Sequence, residues 1–465
     1  MNFGRRCQTL LVIAIVIALC SATLYSQEIE NILYIIADDL KASALNCYGD
    51  RMCQTPNIDR LAAEGMVFEH AYSQGVVCAP SRPSLMFSRY GKIDKKKLVS
   101  FPQFFKEKGW YTARVSKIYH MAIPRDIVQG TSGVDHEPSW TEWFNMKAAE
   151  ESSPGAYACL SQNVFKTELS DRQGAGTRHR MYVSVETPGE GHDQPDHMAA
   201  DKAITLLRQH RDDPFVLAVG FVRPHYPMVA PSNCFAPYDW SKITMPERRE
   251  GDWDDIPKQS IPKSTSQSCG IDRYPDNQKR MWAAYYASIS FMDRQLGKVI
   301  DELERLGLRD KTAIVFTSDH GYHLGEHDFW LKSNLHEEAT RVPLIISAPG
   351  YPSGTTSAFV ELADIYPTVV ALTGLAPPAQ CHGKSLLPVL RDPTTTLRDY
   401  VYSFHKDGHA IRGKRWAFIS YGIGAQELYD MENDPGQFTN LVSNPQYRQV
   451  LEDCRAVLAN KLKIH

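Results

Sequence analysis

Continuous apolar runs that close on charged residues constrain this chain most. Ile32-Leu33-Tyr34-Ile35-Ile36 leads into Asp38-Asp39, and Phe215 to Phe221 leads into Arg223-Pro224-His225. Ala313-Ile314-Val315-Phe316 leads into Asp319-His320, and Leu344-Ile345-Ile346 stops at Pro349-Gly350. A strand with one wet face alternates apolar and polar residues; a run without alternation is covered on both faces. Amphipathic helical patterns lie between the runs, at His197–His210 and Met281–Leu306. Together they predict an α/β fold, a sheet with helices on both faces. In such sheets functional groups collect beyond the carboxyl ends of the strands. The charged residues that follow each run are therefore placed to meet.

At 465 residues the chain exceeds what one core usually holds, roughly 250–300 residues. The pattern changes near Arg391-Asp392-Pro393-Thr394. Short runs follow at Tyr400–Phe404, Gly408–Ile411, Trp416–Tyr421 and Glu427–Tyr429, then a helical pattern over Pro445–Leu462. This predicts a large domain over residues 28–390 and a small α+β subdomain over 391–465, an antiparallel sheet with one packing helix. The stretch Tyr226–Tyr274, rich in Pro, Ser and charge, reads as a long surface excursion.

Arg5 and Arg6, the apolar run Leu10–Leu19 and the small residues Ser21 and Ala22 have the layout of a secretory signal peptide over residues 1–26. The run is short for a span of ~20 residues, and no second run of spanning length occurs. Cys20 is a weaker candidate for lipid attachment, because Leu19 precedes it. Eight cysteines remain after the leader: Cys47, Cys53, Cys78, Cys159, Cys234, Cys269, Cys381 and Cys454. No Asn-x-Ser/Thr sequon occurs, which points to a bacterial periplasm or outer surface rather than a eukaryotic secretory route. The formal net charge of −3, without a basic block, argues against nucleic acid as a partner.

Three clusters carry chemistry. Asp38-Asp39 ends a strand, the one place where adjacent carboxylates can share a target, and carboxylates suit a hard divalent cation. Thr317–His327 holds Asp319, His320, His323, Glu326 and His327. Asp319 and His320 are candidate ligands for the same cation, with Glu326 and His327 as outer supports. The spacing is not that of a zinc motif. Gly109–His120 offers Lys117 as a compact positive charge and His120 as a proton carrier.

Cys78-Ala79-Pro80-Ser81-Arg82, together with Gly109–His120, Phe215–His225 and Trp330-Leu331-Lys332, resembles the type I sulfatases of the alkaline phosphatase superfamily. The similarity runs from about Asn31 to Leu441, and its nearest branch is the iduronate-2-sulfatase-like group. The resemblance implies an alkaline-phosphatase-like mixed sheet between helices. It implies that a formylglycine-generating maturation enzyme oxidises Cys78 to formylglycine, whose hydrate attacks sulfur. It further implies that Asp38, Asp39, Asp319 and His320 bind one calcium ion together with residue 78. Arg82 would stabilise the modified residue, Lys117 and Lys332 would hold sulfate oxygens, His120 would assist proton removal, and His225 would stand near the leaving group. The implied substrate is a sulfated carbohydrate.

The chain departs from the family where Thr-Gly commonly follows the first signature and Phe87-Ser88 stands here, and where Gly commonly precedes the lysine and Ser116 stands here. The segment Arg89–Phe101 is short and basic, with Lys92, Lys95, Lys96 and Lys97. Those lysines either meet a polyanionic glycan or form a solvated charge run. Two other readings are a phosphate or phosphonate ester hydrolase of the same fold, and a glycan-binding homologue in which Cys78 stays a thiol.

Overall fold

The computed structural model describes residues 29–91, 93–172, 176 and 179–463. The signal peptide, Cys20 and Lys92 lie outside the described residues. The large sheet has nine strands: β1 Asn31–Asp38, β2 Met66–Tyr72, β3 Tyr111–Ser116, β4 Glu142–Phe144, β5 Phe215–Pro224, β6 Thr312–Ser318, β7 Arg341–Val342, β8 Leu344–Ser347 and β9 Gly354–Glu361. Their order is β7-β2-β8-β6-β1-β5-β3-β4, with β9 also on β2.

β1 lies at the centre, parallel to β6 on one side and to β5 on the other. β8 runs antiparallel to β6, so the sheet is mixed. Every residue of β1, β5 and β6 is buried, and the reason is visible in the two cores. Leu33 and Ile35 face one apolar core, where helices α2 (Pro195–Gln209) and α3 (Pro275–Arg305) pack. Ile32, Tyr34 and Ile36 face the other. A strand with two apolar faces has no position at which a polar residue is cheap, so the run is continuous.

The tail forms a separate antiparallel sheet, β10 Tyr400–His405, β11 Gly408–Gly413, β12 Trp416–Ser420 and β13 Gln426–Asp430, in sequence order. Helix α4, Arg448–Leu462, packs on it through Leu451, Cys454 and Leu458. The sheet meets the segment before Cys78 where the Phe404 amide donates to the Gln74 carbonyl at 2.7 Å. The predicted strands are thus observed with ends moved by at most three residues, the largest shift being the run from Phe215, which extends to Pro224. The sequence reading missed a further four-stranded sheet, ordered Val164–Lys166, Ala156–Cys159, Val183–Thr187, Met228–Pro231. Its strands are three to five residues long, too short for a periodic signal. Its last strand begins the Tyr226–Tyr274 excursion, which otherwise holds short helical turns. All eight cysteines in the described residues are free thiols, and no helix there is long and apolar enough to cross a membrane.

Candidate active site

The carboxyl ends of β1, β3, β5 and β6 converge, and Cys78 faces them from the first turn of helix α1, Cys78–Phe87. Parallel neighbours end at the same level, so Asp38, Lys117, His225 and Asp319 leave the sheet side by side. Close approach is needed. A Cβ on Gly220 of β5 would sit 2.0 Å from the Lys117 carbonyl oxygen, so only glycine fits there. Asp39 and Ser116 take left-handed backbone at φ 63° and 60°, turning the chain at the strand ends.

Asp38, Asp39, Asp319 and His320 are all buried. Single oxygens of the three carboxylates lie within 4.8 Å of one another, as do groups formed by Asp39, Cys78 and His320 and by Asp38, Cys78 and His225. The His320 Nε2 atom is 3.3 Å from the Cys78 Sγ and 3.3 Å from Asp39 Oδ1. His320 Nδ1 lies 2.9 Å from the Gly321 carbonyl, which can only accept. The ring proton therefore sits on Nδ1 and the Nε2 lone pair faces the carboxylates, the tautomer a metal ligand needs.

The donor set fits a hard cation. It offers carboxylate oxygens and one imidazole, and Asp39 Oδ2 is buried with no hydrogen-bond partner. The cluster thus matches the calcium-binding and formylglycine site of its fold class.

Three cations surround the carboxylates. Arg82, fully buried, donates through NH2 to Asp38 at 2.8 Å and through Nε to Asp319 at 2.9 Å. Its NH1 donates to the Lys117 and Ile118 carbonyls at 2.8 and 2.9 Å, tying α1 to the end of β3. Lys117 Nζ donates to Asp38 and lies 3.8 Å from Cys78 Sγ. Lys332 Nζ donates to Asp39 and lies 3.3 Å from Cys78 Sγ. Burial pushes the Asp38 carboxyl up, but Lys117, His225, Arg82 and Lys332 together hold it well below the usual range. Burial pushes the Cys78 thiol up against the pull of both lysines. As encoded, the residue is a protonated and poor nucleophile.

His225 points Nε2 at Asp39 Oδ2 from 3.7 Å, and its Nδ1 donates to the Tyr226 carbonyl at 2.7 Å. Burial depresses its pKa to about 4 despite Asp39 and Asp38. His120 is half-buried, its Nδ1 without a partner, and burial with Lys117 and Arg82 holds it down to about 4.

Sequence reasoning missed the supports. Tyr285 of α3 donates its hydroxyl to the Asp39 carbonyl at 2.7 Å and accepts the Lys41 amide at 3.0 Å. Ser81 donates to the Asp319 carbonyl. Buried Lys41 pairs with Glu326 and, at 2.8 Å, with Glu338, so Glu326 supports the strand-end turn rather than the ligands. His327 turns away, to Asp252 at 2.8 Å. Behind His225, Asp196 accepts the Val222 and Arg223 amides at 2.7 and 3.0 Å, and Arg223 donates to both oxygens of Glu150 at 3.0 and 3.1 Å. Nothing local in the sequence marks these partners.

The sulfatase family model matches residues 30–375, and a model for the C-terminal part of N-sulphoglucosamine sulphohydrolases matches 325–463. A sulfatase of Formosa agariphila is 29% identical over 453 residues, covering 92% of this chain and 86% of that one. Human iduronate 2-sulfatase is 30% identical over 447 residues, covering 84% and 78%. The crystal structure of a phosphonate monoester hydrolase of Agrobacterium radiobacter superposes with a TM-score of 0.75 at 22% identity, over 94% of this chain and 96% of that one, a likeness of fold. The chain belongs to the sulfatase family, and with this site it is a sulfuric ester hydrolase.

Proposed function

We propose that the protein removes sulfate from a sulfated glycan, using a formylglycine made from Cys78 by a maturation enzyme, and that it belongs to the iduronate-2-sulfatase-like branch. The observation that carries this is the meeting of Cys78 with Asp38, Asp39, Asp319 and His320 at the ends of two strands. The 30% identity to an iduronate 2-sulfatase, over most of both chains, supports the branch. We also propose residues 1–26 as an export signal towards a periplasm or outer surface, and a division into domains near residue 391.

Asp38, Asp39, Asp319 and His320 would hold the calcium ion together with residue 78; once bound, the ion would supply charge stabilisation at the sulfuryl oxygens. Formylglycine would supply a diol, one oxygen of which would take the sulfuryl group while the other would expel sulfate by re-forming the aldehyde, without attack of water on sulfur. The chain's own residues do the rest. Lys117 and Lys332, both beside residue 78, bind sulfate oxygens and counter charge that grows on them, the largest kind of catalytic contribution. Arg82 keeps Asp38 and Asp319 ionised and oriented. His120, neutral near pH 7, accepts a proton from the nucleophile. His225, with its free Nε2 towards the site, serves the leaving oxygen, with Lys332 beside it.

Two measurements test the reading. Peptide mass spectrometry of active enzyme should show the aldehyde or its hydrate at residue 78, and Cys78→Ala should lose turnover with an unchanged melting curve. Aryl sulfate should be hydrolysed far faster than aryl phosphate. Full activity with Cys78 wholly a thiol, or a preference for phosphate, would overturn it.

A further inference from the structure

Three ionisable side chains lie behind His225 and never reach solvent. Glu150, Asp196 and Arg223 are each fully buried, so none of them can touch a substrate. Arg223, near the end of β5, spreads its guanidinium in three directions. NH2 donates to both oxygens of Glu150 at 3.0 and 3.1 Å, Nε donates to the Val229 carbonyl at 3.0 Å, and NH1 reaches the His225 carbonyl at 3.4 Å. The last two contacts hold the turn over residues 225–229 at both ends. Inside that turn the His225 Nδ1 donates to the Tyr226 carbonyl, which leaves Nε2 towards the site. From the other side Asp196, at the start of α2, holds the Val222 and Arg223 amides, and the His225 amide donates to the Val222 carbonyl at 2.9 Å.

We infer that Glu150, acting through Arg223, is a positioning residue for His225: it fixes the tautomer and the aim of the imidazole that serves the leaving oxygen. The inference rests on the role given to His225 above.

Three observations carry it. The first is the shape of the contact. A guanidinium is a planar, rigid fork, and two bonds to one carboxylate stop it from turning. With NH2 locked on Glu150, the directions of Nε and NH1 are set, and so are the two carbonyls they hold. Without Glu150 the fork can swing, the turn loosens, and the Tyr226 carbonyl no longer stays under the His225 Nδ1. The second is what the arrangement costs. Glu150 takes left-handed backbone at φ 51°, uncommon for a residue with a side chain. Burial pushes the Glu150 carboxyl up to about 7 and the Asp196 carboxyl up to about 6, in both cases against the pull of Arg223. A buried ion pair adds little stability over apolar residues of the same volume. Orientation is what this one does supply. The third is the chain of contacts itself. An imidazole held in one tautomer by a group that is in turn oriented by another is the arrangement proton transfer uses.

The test uses converted, full-length enzyme, a series of aryl sulfates whose leaving groups rise in pKa, and one sulfated sugar. The variants are Glu150→Gln, which keeps shape and removes charge, and Arg223→Lys, which keeps charge and removes the fork. His225→Ala and its combination with Glu150→Gln complete the set. Glu150→Gln should lower kcat on the sulfated sugar about 10–100-fold, the scale of a misplaced catalytic group, with KM held within about twofold. The loss should shrink along the aryl series as the leaving group improves and nearly vanish on the best one. Arg223→Lys should show the same trend, and it decides the matter where Glu150→Gln does not fold. The combined variant should lose no more on the sugar than His225→Ala alone, because a misplaced imidazole and a missing one fail at the same step. Equal losses on every leaving group, a change in KM alone, or losses that add in the combined variant would overturn the inference. A His225→Ala variant whose loss is the same for all leaving groups would instead overturn the role of His225 on which the inference rests.

Discussion

The nine-stranded sheet and the four-stranded C-terminal sheet are both covered on two faces, but by clusters of very different size and to different completeness. β1, β5 and β6 have no exposed residue and end in the charged cluster. β11 and β12 keep half-buried positions at His409, Arg412, Trp416 and Ser420, with one face on α4 and the other in a small apolar cluster with Val76, Leu335 and Ala339. The first arrangement holds carboxylates and lysines in a rigid, dry frame, where their charges interact strongly and few orientations are open. The second leaves a hairpin turn free to vary in sequence at little cost, beside that frame. Chemistry common to a family belongs on the first kind of sheet, and selectivity belongs on the second.

The sharpest way to break this division is at His225. A sugar alkoxide leaves poorly and an aryl oxide leaves readily. His225→Ala should cost roughly 10²–10⁴-fold in kcat/KM on a sulfated sugar and far less on an aryl sulfate. Equal losses on both would make His225 a sulfate-holding residue. Next comes Arg82. Arg82→Ala leaves two buried carboxylates without their partner, so activity should fall about 10²–10³-fold on both substrates and unfolding in denaturant should report a loss of about 3–5 kcal/mol. A variant as stable as the wild type would show that the carboxylates do not need the guanidinium.

Glu361 tests the seam between the two sheets. Its buried carboxylate accepts the Tyr402 amide at 2.9 Å, the Tyr90 hydroxyl at 2.5 Å and Lys461 at 3.4 Å. Burial pushes it up, but Arg398, Lys461 and these hydrogen bonds carry it below its ordinary value of 4.5. A carboxyl depressed in the folded state stabilises above that ordinary value, and the contribution is lost as pH falls through the depressed one. Glu361→Gln should therefore lower Tm near neutral pH and flatten its decline in acid, read by calorimetry across pH. Parallel curves would remove Glu361 from the acid response.

The smallest effect separates the two departures from the family pattern. Ser88 and Ser116 both stand where relatives commonly have Gly, and both have left-handed backbone, at φ 54° and 60°. The Ser88 hydroxyl accepts the Gly383 amide at 3.0 Å, whereas the buried Ser116 hydroxyl has no partner. Ser116→Gly should stabilise by about 1 kcal/mol, a rise of roughly 1 °C in Tm for a chain of this size. Ser88→Gly should gain less or lose. A reversed order would show that the hydroxyls, not the backbone, decide.

Much of this molecule is written locally. The continuous runs at Ile32, Phe215 and Ala313 announce strands covered on both faces, because no alternation survives two apolar cores. A strand end is also where adjacent Asp38 and Asp39 can act together, so the carboxylate cluster is legible in the order of residues alone. What the sequence could not determine is which distant groups meet. Arg82 finds Asp319 across 237 positions, and Lys41 finds Glu326 across 285. Strand order, the antiparallel β8 and the short sheet at Ala156–Cys159 follow the same rule. Periodicity is set by each segment's own covering, whereas these contacts are selected by packing and electrostatic energies summed over the whole fold, and no local pattern records them.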